Sequence, residues 1–223
     1  MLKNIKAVAF DIDGTLYPAS SLNIRLIPYV VKHLFFYLHY NKVRNILHRT
    51  APLSDFYEYQ ARLFAELTGS SVEDAKKKIQ SVVYDGLETY FKKIKPFKYV
   101  EETFRRIKAA GYKIAILSDF PPEQKGDIWG LAPYCDVILG SEQCGALKPS
   151  VFPFGILAKQ LGVKKEQILY VGNSRKYDVL GAKNAGMMSA YIMPLWRRIF
   201  HCPLKEADIN FSNYRQFAEI VIE

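Results

Sequence analysis

The sequence predicts an α/β protein: a doubly wound, Rossmann-like parallel sheet formed by residues 1–16 and 96–223, with an all-helical domain inserted at 17–95. Three observations predict it. From residue 96 onward, short β-prone runs alternate with amphipathic helical stretches, as in a parallel sheet covered on both faces. Several of those runs end in polar, chemistry-bearing residues, as strands of an open parallel sheet do at their carboxyl rim. Between the first strand and the rest, the periodicity is almost entirely helical.

The first strand is the apolar run Ile5 to Phe10, which stops at Asp11-Ile12-Asp13-Gly14-Thr15-Leu16. In the insertion, Leu26, Val30, Leu34 and Leu38 recur at helical spacing and predict one helix with Pro28 near its start, broken at Thr50-Ala51-Pro52. Ser54 or Asp55 caps a second helix carrying Phe56, Leu63 and Leu67, which stops at Thr68-Gly69-Ser70-Ser71. A third starts near Val72, runs through Ile79, Val83, Leu87 and Phe91, and is ended by Pro96.

Beyond it, Glu101 to Ala110 reads as a helix stopped by Gly111, and Lys113 to Leu117 as a strand. Val137 to Leu139 is a second short strand, and Phe152 to Leu161 a helix closed by Gly162. Ile168 to Val171 is a strand, Asp178 to Ala185 a helix closed by Gly186, and Met188 to Met193 a strand. Ile209 to Phe211 predicts a sheet edge and Tyr214 to Ile222 a last helix.

At 223 residues and 49% hydrophobic content, the chain has the means to bury a core domain and a smaller insert. The net charge of +9 favours anionic partners without choosing among them. No nucleic-acid motif accompanies that charge, so nucleic acid is not the expected partner. No apolar run reaches the ~20 residues that span a bilayer, so no membrane partner is expected either. The three cysteines, Cys135, Cys144 and Cys202, lack zinc spacing and predict reduced thiols. With no signal peptide expected, a cytoplasmic location follows. Monomer and homodimer both remain open.

The chemistry concentrates at the strand ends. Asp11 and Asp13 would diverge on a continuing strand, but Gly14 permits a sharp bend that turns both toward one small ligand. Two carboxylates at one place repel each other, so a divalent cation or a shared proton is expected between them. The strand at 114–117 ends in Ser118-Asp119, and the strand at 169–171 in Gly172-Asn173-Ser174, with Asp178 close behind. Lys148-Pro149 follows the Val137 strand. Gathered on one rim, these groups form an inventory for phosphate and metal.

These four stretches, in this order, resemble the four motifs of the haloacid dehalogenase-like hydrolases, many of which are phosphatases. Asp11-Ile12-Asp13-Gly14-Thr15-Leu16 resembles the first, Ser118 the second, Lys148-Pro149 the third, and Gly172 to Asp178 with Gly181-Ala182 and Ala185-Gly186 the fourth. The resemblance implies a Mg2+-dependent phosphatase of a small phosphorylated metabolite, with an aspartyl-phosphate intermediate. In that reading Asp11 is the nucleophile and Asp13 the general acid and base. Thr15, Ser118, Asp119 and Lys148 serve the substrate, with Thr15 orienting the turn and Asp13. Asp11, the Asp13 backbone carbonyl, Asn173 and Asp178 hold the metal. Residues 17–95 correspond to the family's helical cap, and their basic balance predicts an acidic leaving group. Asn173 departs from the pattern, since family phosphatases usually carry aspartate there; weaker metal binding is expected. A phosphotransferase or mutase, or a weakly active member that binds through its basic cap, are the alternatives.

Overall fold

A computed structural model describes residue 2 and residues 4–222. Met1, Lys3 and Glu223, included in the predicted core segments, lie outside the described residues. Six parallel strands form one sheet: β1 (Ala7–Phe10), β2 (Lys113–Ser118), β3 (Val137–Gly140), β4 (Ile168–Gly172), β5 (Met188–Ile192) and β6 (Ile209–Phe211). Their order across the sheet is β3-β2-β1-β4-β5-β6. The chain therefore winds outward from β1 in one direction, returns, and winds outward in the other. Ligands of such sheets bind at the carboxyl ends where the winding reverses, which here is the end of β1.

Alternation along the strands sorts the core into two layers. Val8, Phe10, Ile114, Ile116, Leu169 and Val171 face α6 (Val100–Ala109) and α10 (Tyr214–Ile222), where Phe10 stacks on Phe104 at 4.5 Å. Ala7, Ala9, Ala115 and Leu117 face the other way. The small alanines there give room to Phe154, Leu157 and Leu161 of α7 (Val151–Leu161), with α8 (Leu180–Asn184) beside it. A short helix, α9 (Leu195–Ile199), follows β5.

Between β1 and β2 the chain is helical: α1 (Ala19–Lys32), α2 (Leu34–Leu47), α3 (Phe56–Thr68), α4 (Val72–Ile79) and α5 (Asp85–Phe91). Asp55 caps α3 by accepting the Glu58 N–H at 2.9 Å, and Gly69 ends it at φ +69°. Ser71 caps α4 through the Asp74 N–H.

Three expectations change. The single helix predicted from Leu26 through Leu38 is two, parted at His33 (φ −111°, ψ 28°), and Pro28 lies inside α1 rather than near its start. The break rotates the buried face, so Leu34 and Leu38 are exposed while Phe36, Tyr40, Val43 and Leu47 of α2 are buried. The apolar spacing runs on through His33, so the pattern alone hides the break. The third helix is interrupted by a π-helical turn at Gln80–Tyr84, and the helix predicted from Asp178 starts earlier, as a π-helical turn at Arg175–Val179. Such turns appear often where a helix meets a functional site.

The β1 turn is anchored from behind: the buried Tyr214 hydroxyl of α10 donates to the Thr15 carbonyl at 2.7 Å. Tyr214→Phe strands that carbonyl. It should cost about 1–3 kcal/mol, seen as a lower urea midpoint with an unchanged slope.

Candidate functional site

The sheet builds the site by delivering four chain segments to one rim. Asp11 leaves β1 with its N–H bonded to the Val171 carbonyl of β4 at 2.9 Å, so its backbone is still held as strand. Gly14 then turns the chain at φ +83°, a conformation L side chains rarely adopt. A Cβ at Gly14 would also stand 2.2 Å from the Asn173 amide nitrogen, so the first and fourth motif segments are in direct contact. Lys148 arrives from the loop after β3 through a cis Lys148–Pro149 peptide.

The Lys148 ammonium sits at the centre. It donates to Asp11 Oδ1 at 2.8 Å, to Asp178 Oδ1 at 2.7 Å and to the Tyr170 hydroxyl at 3.1 Å. Tyr170 in turn donates to the Leu117 carbonyl at 2.7 Å. The other oxygen of Asp178 accepts the backbone N–H groups of Asn173 and Ser174, at 3.1 and 2.8 Å. Burial alone would depress the Lys148 ammonium, but Asp11 and Asp178 outweigh it and hold the group well above its ordinary range. Asp11 is pushed up to about 7: burial raises it most, Lys148 relieves part of that, and the charges of Asp178 and Asp13 add to it. The rim therefore carries a surplus of negative charge.

Asp13 has its own network. One carboxylate oxygen accepts the Tyr17 hydroxyl at 2.6 Å. The other accepts the Ser118 hydroxyl and the Lys125 ammonium, each at 3.2 Å. The Lys125 side chain is fully buried, with its ammonium 4.7 Å from the centre of the Phe91 ring of α5. Burial and the adjacent Asp13 hold the Tyr17 phenol far above its usual range, so it stays a donor.

A cavity of about 580 Å³ opens over these groups. Of the predicted site residues, Asp11, Asp13, Asp119, Lys148, Asn173 and Asp178 line it. Thr15 and Ser118 do not: both are wholly buried behind the carboxylates. Thr15 donates to Asp11 Oδ2 at 2.8 Å, so it orients Asp11 and not Asp13, as the sequence had suggested. The Asn173 amide oxygen lies 3.4 Å from the Thr15 hydroxyl, one group away from Asp11. Asp119 accepts the Ser141 hydroxyl at 2.6 Å and the Lys148 N–H at 3.1 Å on the same oxygen. Among the described residues, no group of three or more His, Cys, Asp or Glu side chains is arranged to hold a metal ion.

The insert supplies the opposite wall. Tyr37, Tyr40, Asn41, Arg44, Asn45 and His48, all from α2 or its C-cap, line the cavity. Of the basic residues that give residues 17–95 their charge, Arg44 alone is among them. His48 stacks on Tyr177 at 4.5 Å and places Nδ1 2.7 Å from the Lys148 carbonyl. Sequence reading missed Tyr17, Lys125, Tyr170, Arg44 and His48. Tyr17 follows the first motif closely enough to have been weighed; Lys125, in a Pro-Pro-Glu-Gln-Lys loop, carried no signal.

The chain resembles known proteins over most of its length. The family model for haloacid dehalogenase-like hydrolases matches residues 5–186. Pyrophosphatase PpaX of Halalkalibacterium halodurans is 29% identical over 191 residues, covering 84% of this chain and 83% of that protein. A glyceraldehyde 3-phosphate phosphatase of Methanocaldococcus jannaschii is 26% identical over 199 residues, covering 85% of each. Among solved structures, a HAD phosphatase from Thermococcus onnurineus shares the fold at a TM-score of 0.65 and 23% identity, over 97% of this chain and 98% of that one. An L-2-haloacid dehalogenase from Xanthobacter autotrophicus shares it at 0.64 and 18%, over the same fractions. With four motif segments converging on one rim and the family match spanning most of its length, the chain belongs to the haloacid dehalogenase-like hydrolases.

Proposed function

We propose that the protein is a Mg2+-dependent phosphatase of a small phosphorylated metabolite, acting through an aspartyl-phosphate on Asp11, with residues 17–95 as its cap. The observation that carries this reading is the division of labour between the two first-motif carboxylates. Asp11 is braced by Thr15 and Lys148, while Asp13 stands apart in a separate hydrogen-bond network. An Asp11 oxygen attacks phosphorus as the bond to the leaving oxygen breaks, and Asp13 gives that oxygen its proton. Water then attacks phosphorus in the aspartyl-phosphate, Asp13 takes the water's proton, and inorganic phosphate departs. A dehalogenase needs no such acid, because halide leaves unprotonated. The relatives named as phosphatases of pyrophosphate and of a triose phosphate support the reaction class.

The donor set fits Mg2+. This ion is usually held by one or two carboxylates with water and substrate phosphate oxygens, so a cage of three acidic side chains is unnecessary. Asp11, Asp178 and the Asp13 carbonyl would hold it, with the Asn173 amide oxygen beside them. Bound there, it offsets the repulsion between anionic nucleophile and anionic ester. Burial, with the charges of Asp178 and Asp13 added, pushes Asp11 up to about 7, and a bound cation would relieve it. The buried Lys148 ammonium, charged at any working pH, faces the same phosphoryl oxygens.

Three outcomes test this. Asp11→Asn should lower turnover of 4-nitrophenyl phosphate by about 10³-fold or more with an unchanged circular dichroism spectrum; near-normal rates would remove the nucleophile. Lys125→Met should loosen Asp13 and so slow alkyl phosphates at least about tenfold more than 4-nitrophenyl phosphate, whose leaving group needs little protonation. Equal losses on both would make Lys125 merely structural. Finally, EDTA should stop turnover and Mg2+ restore it. Because the Asp11 carboxyl is pushed up to about 7 and the ion needs it ionised, calorimetric Mg2+ affinity should fall as pH drops from about 8 to about 6, with proton release on binding. An affinity flat across that window would move the ion elsewhere.

A further inference from the structure

We infer that the leaving group this site accepts is an uncharged, hydroxyl-bearing alcohol, and that esters carrying a second anionic group are poor substrates. The inference rests on the phosphatase reading and deepens it. It also reverses the acidic leaving group suggested by the overall charge of the insert.

The reason is where the positive charge goes. The lysines of the insert, including Lys76, Lys77 and Lys78, do not line the cavity. Arg44 does, but its guanidinium is paired with Glu142, and both side chains are buried, at 10% and 0% exposure. Its face lies over Phe120 at 4.6 Å. Glu142 is fixed from the far side by the Tyr84 hydroxyl at 2.8 Å. A buried pair of this kind presents little net charge to its surroundings, and separating it is costly. The other cation of the cavity, Lys148, is committed to Asp11 and Asp178. Lys125, behind the wall, is committed to Asp13.

What remains free is negative or neutral. Asp119 lines the cavity and is held ionised: burial would raise its carboxyl, but Lys148, Arg44 and the Ser141 hydroxyl outweigh that and pull it below its usual range. Its Oδ1 is taken by Ser141 and the Lys148 N–H, whereas among the described residues Oδ2 has no hydrogen-bond partner. That oxygen can accept a hydroxyl proton and would repel a carboxylate. His48 faces a carbonyl with Nδ1, so Nδ1 donates and Nε2 is left as an acceptor; burial lowers its pKa and keeps the ring neutral. Asn41, Asn45, Tyr37, Tyr40 and Tyr177 add amides and aromatic faces. Four carboxylates and two already paired cations thus line the space. A leaving group with its own negative charge finds no unpaired cation there, while one with hydroxyls finds donors and acceptors.

The test compares matched esters with Mg2+ present, differing only in –CH2OH against –COO⁻: glycerol 3-phosphate with 3-phosphoglycerate, 2-hydroxyethyl phosphate with phosphoglycolate, and sorbitol 6-phosphate with 6-phosphogluconate. 4-Nitrophenyl phosphate serves as control. The neutral member should win in kcat/KM by at least about tenfold in each pair that is turned over, the scale of one unfavourable charge contact. Carboxylate esters that match or beat their partners overturn the inference, as does turnover of the control with none of the neutral esters. A control that is not hydrolysed removes the phosphatase reading itself and the inference with it. Glu142→Gln, which releases the Arg44 charge, should narrow the preference; an unchanged ratio in a variant of wild-type thermal stability would overturn the part assigned to that pair.

Discussion

The ammonium group of Lys148 is the constraint on which the carboxyl rim of the sheet depends. It is buried, and it bridges Asp11 at the end of β1 and Asp178 in the turn that opens α8. Each of the three charges would be intolerable there alone, since a buried charge without a partner costs several kcal/mol. Together they fix the distance between two motif segments that are far apart in sequence. Tyr170, reaching from β4 to the same ammonium and to the Leu117 carbonyl of β2, ties the two strands that flank β1 into the arrangement. The network leaves the far side of Asp11 to the cavity. Preorganisation of this kind is bought with stability: a hydrophobic cluster of the same volume would hold the rim together as well, but would present no carboxylate to the cavity.

The insert is held to the sheet by the same principle, with buried polar groups meeting across the boundary. Arg44 pairs with Glu142, Tyr84 donates to that glutamate, and His48 meets the Lys148 carbonyl. The π-helical turn at Gln80–Tyr84 takes part directly. Gln124 donates to the Val83 and Tyr84 carbonyls, at the turn's C-terminal end, at 3.0 and 2.7 Å. Gln124 is next to Lys125, whose ammonium reaches Asp13. A short chain of contacts thus runs from the insert to the carboxylate proposed as acid, so the seating of the helices and the setting of Asp13 are physically linked.

Much of this was legible in the sequence because it rests on local rules. β1 could be read from five apolar residues halted by two acids and a glycine, and β6 as an edge from its brevity. Asp55, Gly69 and Gly162 acted as the start and stops their chemistry suggests. Asp11, Lys148 and Asp178 were found because strand ends in an open parallel sheet must converge. What stayed hidden depends on tertiary contact. The break at His33 has no local marker, since the apolar spacing continues through it. Lys125 looks like any loop lysine until the fold buries it. His48 carries no local mark of a site residue, and only the docking of α2 over Tyr177 turns it toward the cavity. The charge of the insert misled for a related reason: composition counts residues, whereas the site responds to the few that face it.

The one departure from the family pattern bears on the same charge balance. Where Asn173 stands, a carboxylate would be a further negative group within reach of Asp11, whose own carboxyl is already pushed up to about 7 by burial and two neighbouring acids. Aspartate there would raise it further until a cation arrived, making the proposed nucleophile more dependent on the proposed ion. The amide keeps an oxygen donor beside Asp11 without adding to that repulsion. It also spends its nitrogen against the Gly14 turn, where a Cβ would not fit. In the proposed mechanism asparagine therefore exchanges some attraction for the cation against an Asp11 that is easier to ionise, and the position of Asn173 over the first-motif turn lets one amide serve both the geometry and the charge of the rim.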